Sequence, residues 1–522
     1  MSEKKHLTLA AAVLALATLL SRCAGLIRDV VIAAFFGAGY GADAFFMAFT
    51  LPNLLRRFFA EGSLTAAFVP TFSAVRQQQG EAQAHHVACQ CWGLLLLVMA
   101  LVTAVGILLA PLVVPLVAAG FGTVAGKLEL TVRLTQLMFP YLFFVSLLAL
   151  VTGILNVYGH YFVPALSPVM LNAAMILAAL LFSSRMAVPI EALAWGVVVG
   201  GLMQLGMSLP LLRRYGVRLR PGWDWRNPAV VRITRLMLPG VVGVAIYQIN
   251  VVVTRLLSSF LAEGSLSYLY YSQRLFEFPQ GIFVVSIAQA VLPSLSRHAV
   301  ADDRSALLDD LRYGLSLILL ITLPAAAGLL LCAKPLFSLL FMQGAFDARA
   351  VHQTALALMA YAPGLVFVGL SRVLVPVFYA RQNTRTPVWI SFWTLLVNAI
   401  AGLLLMRGYG HVGLALALTL SALFNALALG WVLRRQLGPL GLRPLIWLGL
   451  KASGAAAGMA LVVFWLLQLG CWPAGPTWRN GLVLVLAVAG GGLIYLLLCR
   501  LLGVALVRDL AMLLRRRRPT GR

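Results

Sequence analysis

Charge is scarce in this sequence. Only 11% of its 522 residues are charged, against about 25% in a typical soluble protein. A soluble chain of this length would fold as several domains with charged surfaces, and there are too few charges to cover them. Acidic residues are scarcer still, 16 against 40 Lys and Arg. Cysteine is rare: six residues, with Cys23, Cys332 and Cys499 in or beside apolar runs and Cys89 and Cys91 as a lone C-x-C. Zinc sites show paired spacings, so these read as small apolar packing residues. The seven His show no metal spacing, and His85-His86 are neighbours in a polar loop. The stretch Gly120–Lys127 superficially resembles a phosphate loop, but its spacing is one residue too long and no Ser or Thr follows the Lys. No metal, nucleotide or other cofactor is therefore expected, and no catalytic residue emerges.

What is present is apolar. Hydrophobic residues make up 61% and mean hydropathy is +0.93, which excludes a disordered chain and leaves an all-α integral membrane protein. A closed barrel would need strands of about ten residues alternating apolar and polar; the runs here are longer and unbroken. A helix needs about 20 apolar residues to cross the bilayer core, and by that rule about fourteen spans are expected. They cover 9–36, 43–75, 89–118, 128–157, 162–182, 190–212, 229–260, 266–295, 307–331, 351–379, 388–406, 412–433, 445–469 and 482–506. The first is read as a retained span rather than a cleaved signal, because Arg22 precedes Cys23 where a lipoprotein signal needs a small residue.

The net charge of +24 carries no nucleic-acid motif. It follows instead the retention of Lys and Arg in cytoplasmic loops. One set of loops holds Lys4, Lys5, Arg213, Arg214, Arg218, Arg220, Arg226, Arg297, Arg304, Arg381, Arg385, Arg434, Arg435 and the tail Arg515–Arg518. The alternate set holds little beyond Lys127, Arg185, Arg349, Arg407 and Arg479. Both termini are thus expected in the cytoplasm.

The chain repeats itself. Ala67-Phe-Val-Pro70-Thr-Phe-Ser73 resembles Ala290-Val-Leu-Pro293-Ser-Leu-Ser296; Tyr158…Pro164 matches Tyr379…Pro387; Asn172-Ala173 matches Asn398-Ala399. The order is kept at a near-constant offset. A six-span unit used twice, entering the membrane in the same sense, gives two lobes related by a pseudo-two-fold axis. The expected organisation is a first lobe at 1–215, a basic linker at 216–227, a second lobe at 228–436, two extra helices at 437–508 and a basic tail at 509–522. Parallel repeats place a substrate between the halves.

Intramembrane charges mark function by default. Span 1 carries Ser21, Arg22, Arg28 and Asp29; span 2 carries Asp43, Asn53, Arg56, Arg57 and Glu61; span 7 carries Arg255; span 8 carries Arg274 and Glu277; span 10 carries Arg372. Arg dominates. An ion-coupled drug site would be rich in carboxylates, whereas Arg never deprotonates and its fork fits phosphate bidentately. A phosphate-bearing substrate is the simplest reading. On an ideal helix Arg22, Gly25 and Asp29 share a face, with Arg28 about 120° from Arg22. Arg57–Glu61 and Arg274–Glu277 have the spacing of ion pairs that neutralise each other, and Arg57 has a competing role snorkelling to headgroups.

Ser21-Arg-Cys-Ala-Gly-Leu-Ile-Arg28-Asp29, Phe36-Gly-Ala-Gly39 and Ala42-Asp43-Ala-Phe-Phe resemble the opening of the MurJ (MviN) family. Leu51-Pro-Asn53-Leu-Leu-Arg56-Arg57-Phe-Phe-Ala-Glu61-Gly62 is its most specific motif. Tyr270-Tyr271-Ser-Gln-Arg274-Leu-Phe-Glu277-Phe-Pro279 and Leu292-Pro-Ser-Leu-Ser296 carry the likeness into the second half. The family is similar to the multidrug/oligosaccharidyl-lipid/polysaccharide exporters. The resemblance implies a flippase that moves lipid II, the undecaprenyl-pyrophosphate-linked peptidoglycan precursor, outward across the bacterial inner membrane by alternating access. It implies that Arg22, Arg28, Arg56 and Arg274 contact the pyrophosphate and headgroup, and that Ser21, Asp29, Asp43, Asn53, Glu61 and Glu277 support or gate the cavity. The last two spans would form a groove for the polyprenyl tail. Partners would be lipid II, membrane lipids and cell-wall synthesis proteins, with no nucleic acid, and the internal duplication allows a monomer. Gln273 departs from the acidic residue that relatives often carry there, and Cys23 from a branched aliphatic. Competing readings are a flippase for another lipid-linked oligosaccharide, which would keep the Arg cluster, a cation-coupled drug antiporter, and a non-transporting scaffold. Neither of the last two needs deep Arg residues.

Overall fold

Hydropathy drives the chain into helices because a bilayer offers no water to backbone N–H and C=O groups. A computed structural model describes residues 3–59, 63–301, 303–504 and 506–507, without side chains for 3–15, 59, 63, 238–247 and 299–300. Glu61, the side chains of Lys4 and Lys5, and the basic tail lie outside the described residues. The described chain is helical, with no strand. In order come α1 (Glu3–Phe36), α2 (Tyr40–Phe59), α3 (Ser63–Gln79), α4 (Glu81–Val117), α5 (Lys127–Met138), α6 (Pro140–Val157), α7 (Phe162–Phe182), α8 (Glu191–Arg214) and α9 (Pro228–Ser259). Then follow α10 (Ser265–Pro279), α11 (Val285–Val300), α12 (Arg304–Phe341), α13 (Ala348–Tyr361), α14 (Gly364–Ala380), α15 (Arg385–Leu437), α16 (Arg443–Leu467) and α17 (Trp478–Leu501).

Among the described residues nine helices are long and apolar enough to cross a membrane, and α13–α14, bent by 40°, makes a tenth. The chain is a multi-pass membrane protein. Helix lies along each of the fourteen segments expected from hydropathy, but length and apolarity alone do not reach that count. α2 carries Asp43, Arg56 and Arg57, α3 is 17 residues long, α1 and α9 include residues whose side chains lie outside the described set, and α15 counts once although Gly410 (φ 56°) breaks it into 385–409 and 411–437. Leu101, Leu108, Leu112 and Leu116 of α4 are exposed along one side of the helix, as a lipid-facing surface requires.

Packing divides the chain into two units, Met1–Ser267 and Tyr268–Arg522. In the first, α1 packs on α7, α7 and α6 on α8, α2 on α5, and α3 on α9. In the second, α12 packs on α13, α14 and α16, and α14 on α15. Helix pairs without a hydrophobic drive between them rely on small residues for close approach. The core joining α12, α16 and α17 shows it: Ala455, Ala456, Met459, Val463, Ala487, Cys332 and Cys499 are buried together, and the Tyr495 hydroxyl donates to the Leu320 carbonyl at 2.7 Å. Cys332, Cys499 and Cys91 are buried packing residues; Cys23 and Cys471 are exposed, so the packing role holds for only part of the set. Pro70 lies inside α3 and Pro293 inside α11.

The basic linker is strapped to α4. Gly222 N–H donates to the Cys89 carbonyl (3.0 Å), and Cys89 Sγ donates to the Arg218 carbonyl and accepts from Arg220 N–H, both at 3.5 Å. A Cβ on Gly93 would lie 2.1 Å from the Gly222 carbonyl oxygen, so only glycine permits this approach. Gly93→Ala should lift the linker. Trypsin should then cut after Arg218 roughly tenfold faster, the equivalent of about 1.4 kcal/mol of lost local tying; an unchanged rate would show that the strap does not hold the linker.

Candidate functional site

The first cluster is built by α1 against α7. Gly25 approaches Asn172 of α7, with a virtual Cβ 3.8 Å from Asn172 Nδ2. The Asn172 amide donates to the Ser21 carbonyl at 3.4 Å, and its Oδ1 accepts from Arg28 Nη1 at 2.9 Å. The face turned to α7 is therefore Ser21, Gly25 and Arg28, spaced i, i+4, i+7. The expected face through Arg22, Gly25 and Asp29 is one residue out of register. Gly25 belongs to both faces, and the polar partner on α7 selects between them.

Arg28 and Asp29 are buried, 7% and 1% exposed. Arg28 Nη2 and Nε both donate to Asp29 Oδ1, at 2.7 and 3.1 Å. All three guanidinium nitrogens thus hold partners on α1 and α7. Arg22, by contrast, is exposed.

On α2, Pro52 removes one helical N–H, and in the next turn Arg56 Nε donates to Asn53 Oδ1 at 3.0 Å. Both side chains are half-buried. Glu61, the expected partner of Arg57, lies outside the described residues. On α10, Arg274 faces Glu277 at 3.5 Å and lies 5.5 Å from the Tyr270 ring centre, with two-fifths of each charged side chain exposed. Gln273 donates to Glu277 Oε1 at 3.1 Å, so it orients the carboxylate without adding a charge. One π-helical turn, Gln280–Val284, follows at once; such turns locally release the hydrogen-bond ladder. On α9, Arg255 is half-buried.

The opposite end of α2 carries a carboxylate with four donors. Asp43, 2% exposed, accepts from Lys127 Nζ (3.0 Å), Gly264 N–H (2.8 Å), Ser267 N–H (3.0 Å) and Ser267 Oγ (2.7 Å). Lys127 is equally buried and lies 4.4 Å from the Phe121 ring centre. Its loop is closed by Gly120, whose N–H donates to Ser259 Oγ. The segment with a false likeness to a phosphate loop is thus a structural turn that delivers Lys127 to Asp43. One carboxylate ties the start of α2, the start of α5 and the α9–α10 turn.

With this geometry in hand, comparison with known proteins places the chain. The family model described as lipid II flippase MurJ matches residues 32–476. The chain belongs to the MurJ lipid II flippase family. It is 38% identical to the probable lipid II flippase MurJ of Vibrio cholerae across 94% of this chain and 95% of that one. It is 39% identical to the lipid II flippase MurJ of Burkholderia cenocepacia across 80% and 82%. The fold matches a solved lipid II flippase MurJ in an inward closed conformation, with TM-score 0.78, 26% identity and coverage of 95% of this chain and 99% of the other. An inward-facing multidrug resistance MATE transporter of the MOP superfamily matches at TM-score 0.66 and 13% identity, over 83% of this chain and 99% of the other; this likeness concerns the fold alone.

For this MurJ-family chain, sequence reasoning missed Asn172 and Lys127 as site residues. Asn172 appeared only as a repeat echo and Lys127 only as a stray loop cation. The available signal was the presence of each polar group beside an apolar run, but its partner lies 144 residues away for Asn172 and 84 for Lys127.

Proposed function

We propose that the chain carries lipid II from the cytoplasmic to the periplasmic leaflet of a bacterial inner membrane, by alternating access between two lobes. The observation that carries this reading is the set of arginines on α1, α2 and α10 in a chain of the lipid II flippase family. Arg22, Arg56 and Arg274 are accessible to solvent and would meet the diphosphate first. Arg28 is buried on α1 against Asn172 and Asp29. Its Nη1 bond goes to a neutral amide oxygen, and a charged phosphate oxygen forms a bond roughly twice as strong; the substrate would displace Asn172 while Asp29 keeps the guanidinium in place. Glu277 and Asn53 hold Arg274 and Arg56 in reach, and Asp43 closes the opposite end.

The exposed apolar faces of α16 and α17, with Leu461, Trp465, Leu493 and Leu497 in contact with the surroundings, support a path for the polyprenyl tail that never leaves the bilayer. The excess of Lys and Arg in one set of loops supports cytoplasmic termini. The chain works as a monomer, without catalytic chemistry or a cofactor, and hands its product to cell-wall synthesis proteins. An inside-negative potential drives an anionic headgroup outward with about 2.3 kcal/mol per charge per 100 mV.

The test is depletion in the host followed by addition of an enzyme that cleaves the lipid II headgroup from the periplasmic side. Lipid II should become protected on depletion and cleavable again on re-expression. If cleavage persists throughout depletion, another lipid-linked oligosaccharide takes the place of lipid II as substrate.

A further inference from the structure

The second unit contains a polar cavity of about 250 Å³ that none of the substrate candidates above lines. It is lined by His298 at the end of α11, Asp303, Arg304 and Leu307 at the start of α12, Arg381 in the α14–α15 turn, and Gln436 to Gly438 at the end of α15. We propose that this cavity binds a phosphate-bearing anion.

Its polar groups are mostly donors. Arg304 and Arg381 come from separate elements, and neither side chain makes a hydrogen bond or ion pair with a described residue. The carboxylate that shares the cavity is already engaged: Asp303 accepts from Ser305 Oγ (2.8 Å) and from Ala306 N–H (3.1 Å), capping α12. Those bonds hold its carboxyl below the usual range. His298 is held from behind by Asp310, 2.7 Å from Nδ1. Two guanidinium groups without a carboxylate partner, beside an amide side chain, suit phosphate oxygens.

The backbone is shaped to present both arginines. Gly438 has φ +73°, and a Cβ there would lie 2.5 Å from Arg304 Nη2, so the guanidinium rests in space that only glycine leaves open. Next to Arg381, Gln382 has φ +56°, the one non-glycine residue with positive φ among the described residues. Strain of this kind persists only where the surroundings impose it, and it gathers at ligand sites. The loop set that holds Arg304 and Arg381 is the one expected at the cytoplasmic surface. There the phosphate could come from the headgroup of an anionic phospholipid or from a soluble phosphate. The inference does not depend on lipid II, so its failure would leave the transport reading untouched.

The test uses full-length protein purified in detergent, with two probes: short-chain phosphatidylglycerol, followed by native mass spectrometry, and inorganic phosphate, followed by thermal shift. Binding of at least one probe should be about tenfold weaker in R304Q/R381Q than in wild type. A difference seen with phosphatidylglycerol alone identifies a headgroup site; a difference with inorganic phosphate identifies a soluble ligand. The variant R434Q/R435Q removes equal charge from the same end of α15 and should bind like wild type. Should R304Q/R381Q aggregate, Gly438→Ala, which displaces Arg304 without removing charge, decides the matter by the same readouts. Equal binding by wild type and the cavity variant overturns the proposal, as does an equal loss in R434Q/R435Q.

Discussion

Replacing Arg28 and Asp29 together, as Arg28→Ala/Asp29→Asn, should yield a folded protein that no longer exposes lipid II to a periplasmic enzyme. Arg28→Ala alone mixes two effects. It takes Arg28 away from a carboxylate that is 1% exposed, and breaking a buried pair on one side costs about 3–5 kcal/mol. The single variant should therefore fall in abundance. Neutralising Asp29 removes that penalty and restores the level without restoring the guanidinium. What remains is the lost phosphate contact, about 1.5–3 kcal/mol for a hydrogen bond to a charged group, or roughly 10- to 100-fold in transport. Asn172→Ala supplies the complementary result: it removes the amide acceptor of Arg28 Nη1 and should leave flipping intact. If the double variant reaches wild-type level and flips like wild type, Arg28 serves only the packing of α1 on α7, and the substrate site must be drawn from Arg22, Arg56 and Arg274.

Asp43→Ala should be far more damaging to stability than Lys127→Met, although both remove one end of the same ion pair. Loss of Asp43 strands a buried ammonium together with the amides of Gly264 and Ser267, which accounts for about 3–5 kcal/mol. Loss of Lys127 leaves Asp43 with three donors, the two amides and the Ser267 hydroxyl, so its charge stays hydrogen-bonded. Thermal unfolding of the purified variants makes the comparison directly. The double variant Asp43→Asn/Lys127→Met should recover much of the loss, because no unpaired charge remains. Equal destabilisation by the two single variants would mean that the ion pair, and not the amide cage, holds this end of α2.

The motifs of α1, α2 and α10 were legible residue by residue, and so was the family. The geometry inside them was less so. Arg28 was expected to contact the pyrophosphate and is buried against Asp29 and Asn172. Arg22 looked like its equal and is exposed. Asp43 was legible as important but not as the hub of four bonds, because three of its donors sit in a turn more than 200 residues away. The Arg274–Glu277 pair was readable because both members lie on one helical turn.

That contrast marks the division of labour in this protein. Helix and membrane follow from the sequence by itself, because hydropathy and backbone hydrogen bonding act over a few neighbouring residues. Which face of α1 meets α7, which lysine reaches Asp43 and where Arg304 and Arg381 share a cavity depend on how helices rotate against one another. A turn of about 100° per residue separates neighbouring faces, so a single polar partner on a distant helix selects between them. Only the tertiary structure supplies that partner.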